Sequence, residues 1–143
     1  GDGPERDRLE TLAAETDASV TFVGEVLPAA VGDYYADAAV FVLPSIEGEG
    51  MPNVILEAMA RELPVVATDS GGVPSLITTG VNGYLVPMRD PDALADAIKS
   101  LITNPNKKRE IGTAARQYVR ENHSWESQVE RLETVYDRVL SAS

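Results

Sequence analysis

The chain has 143 residues, 43% of them apolar, which is one domain's length with enough hydrophobic material for a core. It carries 23 acidic and 12 basic residues for a net charge of −11, a balance that argues against nucleic acid and anionic membranes as partners of this segment because both would repel it at long range. No apolar run nears the ~20 residues of a membrane span, the N-terminus is polar unlike a signal peptide, and the lack of cysteine excludes disulfides and thiolate metal sites. Only three of the basic residues are lysine. Acidic, lysine-poor surfaces suit a high-salt cytoplasm, a reading that predicts a gain in stability in molar KCl.

In chain order, Gly1 to Pro4 reads as the end of a strand-to-helix connection, followed by a helix over about 4–16 with Leu9, Leu12 and Ala13 on one face. A short strand is predicted over Val20–Gly24, then a loop from Glu25 to Ala30, then a short helix over 31–38 whose Tyr34 and Tyr35 belong to core or rim. Ala39–Leu43 is apolar, β-branched and aromatic, as a buried strand would be. It leads into Pro44-Ser45-Ile46-Glu47-Gly48-Glu49-Gly50-Met51-Pro52, where two glycines open backbone angles closed to other residues and Pro52 suits the first position of a helix. The N–H groups of Asn53 and Val54 at that helix start form a ready anion site, suited to a diphosphate. Glu49 beside it would compete with phosphate, which points it at something neutral and rich in hydroxyls. Glu57 sits in a helix apolar on nearly every side, expected to be packed deep; it either pairs with Arg61 at i+4 or accepts hydrogen bonds from sugar hydroxyls, and the two are compatible.

A third strand is predicted over 64–68, and Asp69-Ser70-Gly71-Gly72-Val73-Pro74 repeats the design of the first turn. Ligands of doubly wound sheets gather at the carboxyl ends of strands, so the two turns should frame one crevice, although chain geometry alone would also explain Gly71-Gly72. A fourth strand follows over 83–86. Asp90-Pro91, Asn104-Pro105 and Ser124 each open a helix, with apolar faces at Leu94, Ala97, Ile98, Leu101 and Ile102, then Ile111, Ala114, Ala115, Tyr118 and Val119, then Trp125, Val129, Leu132, Tyr136, Val139 and Leu140. These read as scaffold. His123, the only histidine, makes neither a metal site nor a triad and reads as a surface residue beside a cap.

Glu49 and Glu57, with seven residues between them in a Pro-Ser … Glu-Gly … Leu-Glu-Ala-Met-Ala frame, resemble the motif of glycosyltransferase family 4, the group 1 glycosyl transferases. Gly1-Asp2-Gly3-Pro4-Glu5-Arg6, Phe22-Val23-Gly24, Tyr35-Ala36-Asp37-Ala38, Pro64-Val65-Val66-Ala67-Thr68, Gly71-Gly72-Val73-Pro74, Gly80-Val81-Asn82-Gly83-Tyr84-Leu85-Val86 and Ser124-Trp125 follow in the family's order, so the resemblance covers essentially the whole chain. One departure is Ser75, where the family usually has an acidic residue.

The resemblance implies an α/β, Rossmann-like parallel sheet with flanking helices, residues 1–143 forming the later part of the C-terminal, donor-binding domain of a GT-B enzyme. It implies a retaining transfer of a hexosyl group from a nucleotide-diphosphate sugar, with no metal and no other cofactor. Glu49 would be the catalytic-site carboxylate on the transferred sugar and Glu57 would hold the ribose. Asn53 and Val54 would meet the diphosphate, with Gly24, Gly50, Met51, Gly71 and Gly72 among the donor-binding residues and Val26 near the base. For Val26 a plain connector is the competing reading. The acceptor-binding N-terminal domain and the basic clamp for the diphosphate are absent from this sequence, and Arg61 and Arg89 do not match that clamp. In the sheet order 3-2-1-4-5-6, a strand at 20–24 would lie two places from one at 39–43. Either the strands close up, or another copy supplies edges as a homo-oligomer, or the chain is a fragment of a longer polypeptide; the fragment is favoured. The expected location is cytoplasmic, with membrane association only through the acceptor. A non-catalytic nucleotide- or sugar-binding module and a structural remnant acting through partner contacts remain alternatives.

Overall fold

A computed structural model of the chain describes residues 2–47 and 50–141. The chain falls into two compact units, residues 1–36 and residues 37–143.

The first unit holds helix α1 (Arg6–Ala14) and most of helix α2 (Pro28–Asp37). The Arg6 guanidinium bonds the Asp2 carboxylate and, at 2.7 Å, Glu10, and lies 5.9 Å from the Phe22 ring centroid. Asp2 also accepts the Glu25 N–H at 3.0 Å, which fastens the segment after Gly24, a residue at φ +79°. The hydrogen bond from Arg6, followed by that from the Glu25 amide, holds the Asp2 carboxyl below its ordinary pKa. The strand expected over Val20–Gly24 does not form: these residues are irregular, and Val20 and Val23 are exposed. β-propensity becomes a strand only where a neighbour accepts and donates the ladder hydrogen bonds, and no such neighbour pairs with them among the described residues. Of the two tyrosines, Tyr35 is buried (7% exposed) and Tyr34 is half exposed (50%).

The second unit is built on three parallel strands in the order β1-β2-β3, namely β1 (Phe41–Leu43), β2 (Val65–Thr68) and β3 (Tyr84–Val86). Phe41 is opposite Val65, and Val66 is opposite Tyr84. Strand β2 is central and buried along its whole length, as a strand covered on both faces must be. Strand β1 is only half-buried rather than buried as its composition suggested, because it lies at the edge of the sheet.

Parallel strands need crossovers. Helix α3 (Asn53–Ala60) joins β1 to β2, and a loop containing a 3-10 turn (Val73–Ser75) joins β2 to β3. Helices α4 (Pro91–Ile102), α5 (Pro105–Asn122) and α6 (Trp125–Ser141) follow. Asp90 accepts the Ala93 N–H at 2.9 Å, Asn104 the Lys107 N–H at 3.1 Å and Ser124 the Ser127 N–H at 3.1 Å, so all three predicted caps form. Val66, Val86, Ala97, Leu101 and Ile111 make a buried cluster between sheet and helices, with Leu94 and Ile98 packed at its margin. Ile102, expected on that face, is exposed. The apolar side of α6 is uncovered from Trp125 (85% exposed) to Leu140. No helix among the described residues is long and apolar enough to cross a membrane.

Candidate functional site

Both glycine-rich turns leave carboxyl ends of adjacent parallel strands, and they meet. The Gly72 amide donates to the Gly50 carbonyl at 3.1 Å. A Cβ on Gly72 would collide with that carbonyl oxygen and lie 3.5 Å from the Met51 Cα, so only glycine allows the approach. The Gly72 N–H is therefore consumed in joining the turns. Gly71, at φ +51°, adopts the left-handed conformation that the reversal requires.

Thr68 fastens the loop after β1 from below. The residue is 4% exposed, and its hydroxyl donates to the Ser45 carbonyl at 2.6 Å, with the Leu43 carbonyl 3.4 Å away. Ser70 is equally buried, and its hydroxyl has no partner among the described residues, a donor that a bound water or ligand would satisfy. Neither role was visible in the sequence, where a threonine closing a strand and a serine in a glycine turn look ordinary.

Helix α3 starts at Asn53, with Pro52 one place outside it as the N-cap rather than as its first residue. Proline offers no side-chain acceptor, so the N-cap residue itself makes no capping bond; the Ile55 N–H turns back to the Pro52 carbonyl at 3.1 Å. The helix is not enclosed as its composition suggested. Ile55, Ala58 and Met59 are buried, whereas Asn53, Val54 and Glu57 are exposed. Asn53 and Glu57 are four positions apart, so they share the outward face. Arg61 continues that face, its Nη1 donating to the Glu57 main-chain carbonyl at 3.1 Å. Met51 is exposed beside the helix start. Glu49 lies outside the described residues.

Gly24 and Val26 belong to the first unit, whereas Gly50, Met51, Asn53, Val54, Glu57, Gly71 and Gly72 belong to the second. The structure thus gathers the second-unit residues around one pair of turns. Neither stretch 44–57 nor stretch 69–75 contains lysine or arginine, and Glu47, Glu57 and Asp69 are exposed there. This local charge opposes an anion, and the dipole at the helix start favours one. A groove of about 570 Å³ on α5, lined by Glu62, Thr113, Arg116, Gln117, Arg120 and Glu121, includes none of the expected site residues. No cluster of three or more metal-ligating side chains occurs among the described residues.

A parallel α/β sheet with paired glycine turns at its carboxyl edge defines a class of protein that receives ligands at that edge. Comparison with known proteins narrows the class to a family. The model of the family "Glycosyl transferases group 1" matches residues 1–104, and the chain belongs to that family. It is 37% identical over 133 residues to alpha-maltose-1-phosphate synthase of Mycolicibacterium smegmatis, covering 88% of this chain and 34% of that protein. Sucrose-phosphate synthase of Thermosynechococcus elongatus superimposes with a TM-score of 0.81 at 35% identity, over 100% of this chain and 36% of that one. Anabaena HepE, solved in complex with UDP, gives 0.77 at 26% identity, over 93% and 38%. The chain thus spans about a third of the length of these relatives, and the GT-B architecture of its structural neighbours is the fold its three strands and helices belong to.

Proposed function

We propose that this chain is the donor-binding portion of a retaining glycosyltransferase that moves a hexosyl group from a nucleotide-diphosphate sugar to an acceptor. The observation that carries the reading is the bond between Gly72 and Gly50, which draws both strand-end turns together beside the start of α3. UDP in the HepE complex supports a nucleotide-diphosphate donor.

In this reading the diphosphate lies at the start of α3, Asn53 foremost, where the helix dipole favours negative charge. Glu57, one turn along the same face, accepts the ribose hydroxyls. Glu49 meets the hydroxyls of the transferred sugar, and Gly50, Met51 and Gly71 bound the donor with backbone alone. Gly72 acts through Gly50, because its own amide is already engaged.

No conventional general base is assigned. Departure of the diphosphate is assisted by preorganised positive potential, from the helix start and from cationic side chains outside this segment, without a metal. Those cations are required: a multiply charged diphosphate would otherwise enter a domain of net charge −11. The acceptor is bound by another domain of the longer enzyme.

Calorimetry of the full-length protein with UDP and with GDP tests the reading. Glu57→Gln should weaken the nucleotide that binds by about tenfold, the loss of a charge-assisted hydrogen bond. Unchanged affinity for that nucleotide would refute the role of Glu57, and failure of the wild-type protein to bind either one would refute the donor site.

A further inference from the structure

Tyr118 reads in sequence as part of the apolar face of α5, but its hydroxyl does something else. It donates to the main-chain carbonyl of Ser75 at 3.0 Å, across 43 residues of chain. Ser75 closes the 3-10 turn that follows Gly71-Gly72; its N–H and its hydroxyl both return to the Gly72 carbonyl, at 3.1 and 2.6 Å. The Gly72 amide in turn holds the Gly50 carbonyl. The bonds therefore run without interruption from α5 to the loop before α3: Tyr118, Ser75, Gly72, Gly50.

The brace acts on the exposed side of the turn. Three-residue 3-10 turns have poor hydrogen-bond geometry and little stability of their own. Val73 and, just past the turn, Leu76 are buried and anchor its inner side by packing, whereas Gly71, Pro74 and Ser75 are exposed, so hydrogen bonds position the outer side. The Ser75 hydroxyl is spent within the turn, which leaves its carbonyl to Tyr118. A phenol has one proton to give. With that proton on Ser75, the His123 Nε2 3.4 Å away can only donate to the same oxygen, and the two rings stand 5.4 Å apart.

We infer that Tyr118 is a positioning residue of the donor site: by holding Ser75 it sets the glycine turn and, through Gly72, the height of Gly50 beside the start of α3. The inference rests on the donor-site reading above.

Tyr118→Phe keeps the ring and removes only the hydroxyl. In the full-length protein it should speed hydrogen exchange at the Gly72 and Ser75 amides, and weaken UDP or GDP binding, each by about threefold to tenfold, the range for one hydrogen bond. The melting temperature should stay within about 3 °C, since an exposed bond is lost without a cavity. His123→Phe, which spares the Ser75 bond, should leave nucleotide affinity within twofold. Unchanged exchange at Gly72, or changed exchange with unchanged affinity, would overturn the inference while wild-type nucleotide binding preserved the donor site. A wild-type protein that binds neither nucleotide would remove the donor site and this inference together.

Discussion

The amide of Gly72 and the carbonyl of Gly50, 22 positions apart, are hydrogen-bonded at 3.1 Å, and no side chain fits between them. The two turns of the site are thus one structure. Gly72→Ala must push the Gly50 carbonyl away and break the bond. The expected cost is about 1–3 kcal/mol of stability, with nucleotide affinity falling further than stability alone explains. Thermal denaturation and calorimetry on the same variant check this, and an alanine variant with wild-type affinity would show that the contact is incidental.

Thr68 makes a second prediction at the same edge. Thr68→Val preserves shape and β-propensity but deprives the Ser45 carbonyl of its donor. The variant should lose about 1–2 kcal/mol in urea denaturation with no change in m, since the sheet itself is intact. A neutral result would mean that the loop after β1 is held by other bonds.

Gly112 tests the scaffold separately from the site. A mid-helix glycine is ordinarily improved by alanine, by about 1 kcal/mol. Here a Cβ would collide with the Glu62 carbonyl, in the turn where Glu62 adopts φ +59° and its side chain meets Arg116 at 2.9 Å. Gly112→Ala should therefore destabilise the protein, by about 1–3 kcal/mol. A stabilised variant would contradict the close approach of α5 to that turn.

His123 supplies the pH dependence. Burial, and then the charge of Arg131, lower its pKa below the ordinary value of 6.5. The unfolded chain thus binds the proton more readily than the folded one. The stabilising contribution of neutral His123 is complete above pH 6.5 and is lost as pH falls through the folded pKa. His123→Phe should flatten the fall in melting temperature between pH 7.5 and pH 5.5 by up to about 2 °C. A steeper fall in the variant would give the shift the opposite sign.

Much of the second unit could be read before folding because its signals are local. Asp90-Pro91, Asn104-Pro105 and Ser124 cap their helices through bonds spanning three residues, and the β-branched run within 64–68 reads as a strand, which Val65–Thr68 forms. Glu57 misled because a short helix rich in apolar residues looks enclosed, whereas its Asn53-Glu57 face is open. Val20–Gly24 misled because a strand is a property of a pair, and the pairing partner is not in that stretch. The turns could be located, and their shared crevice inferred, from the rule for parallel sheets. The bonds from Thr68 to Ser45 and from Tyr118 to Ser75 depend on side-chain reach between distant segments, and no periodicity encodes that.

The most direct test of a donor nucleotide at the start of α3 is hydrogen exchange of the full-length protein with and without saturating UDP or GDP. Slowed exchange at the amides of Gly50, Met51 and Asn53, with little change along α4 and α6, is the predicted result. Nucleotide that binds but leaves those amides exchanging at their free rates would contradict the account.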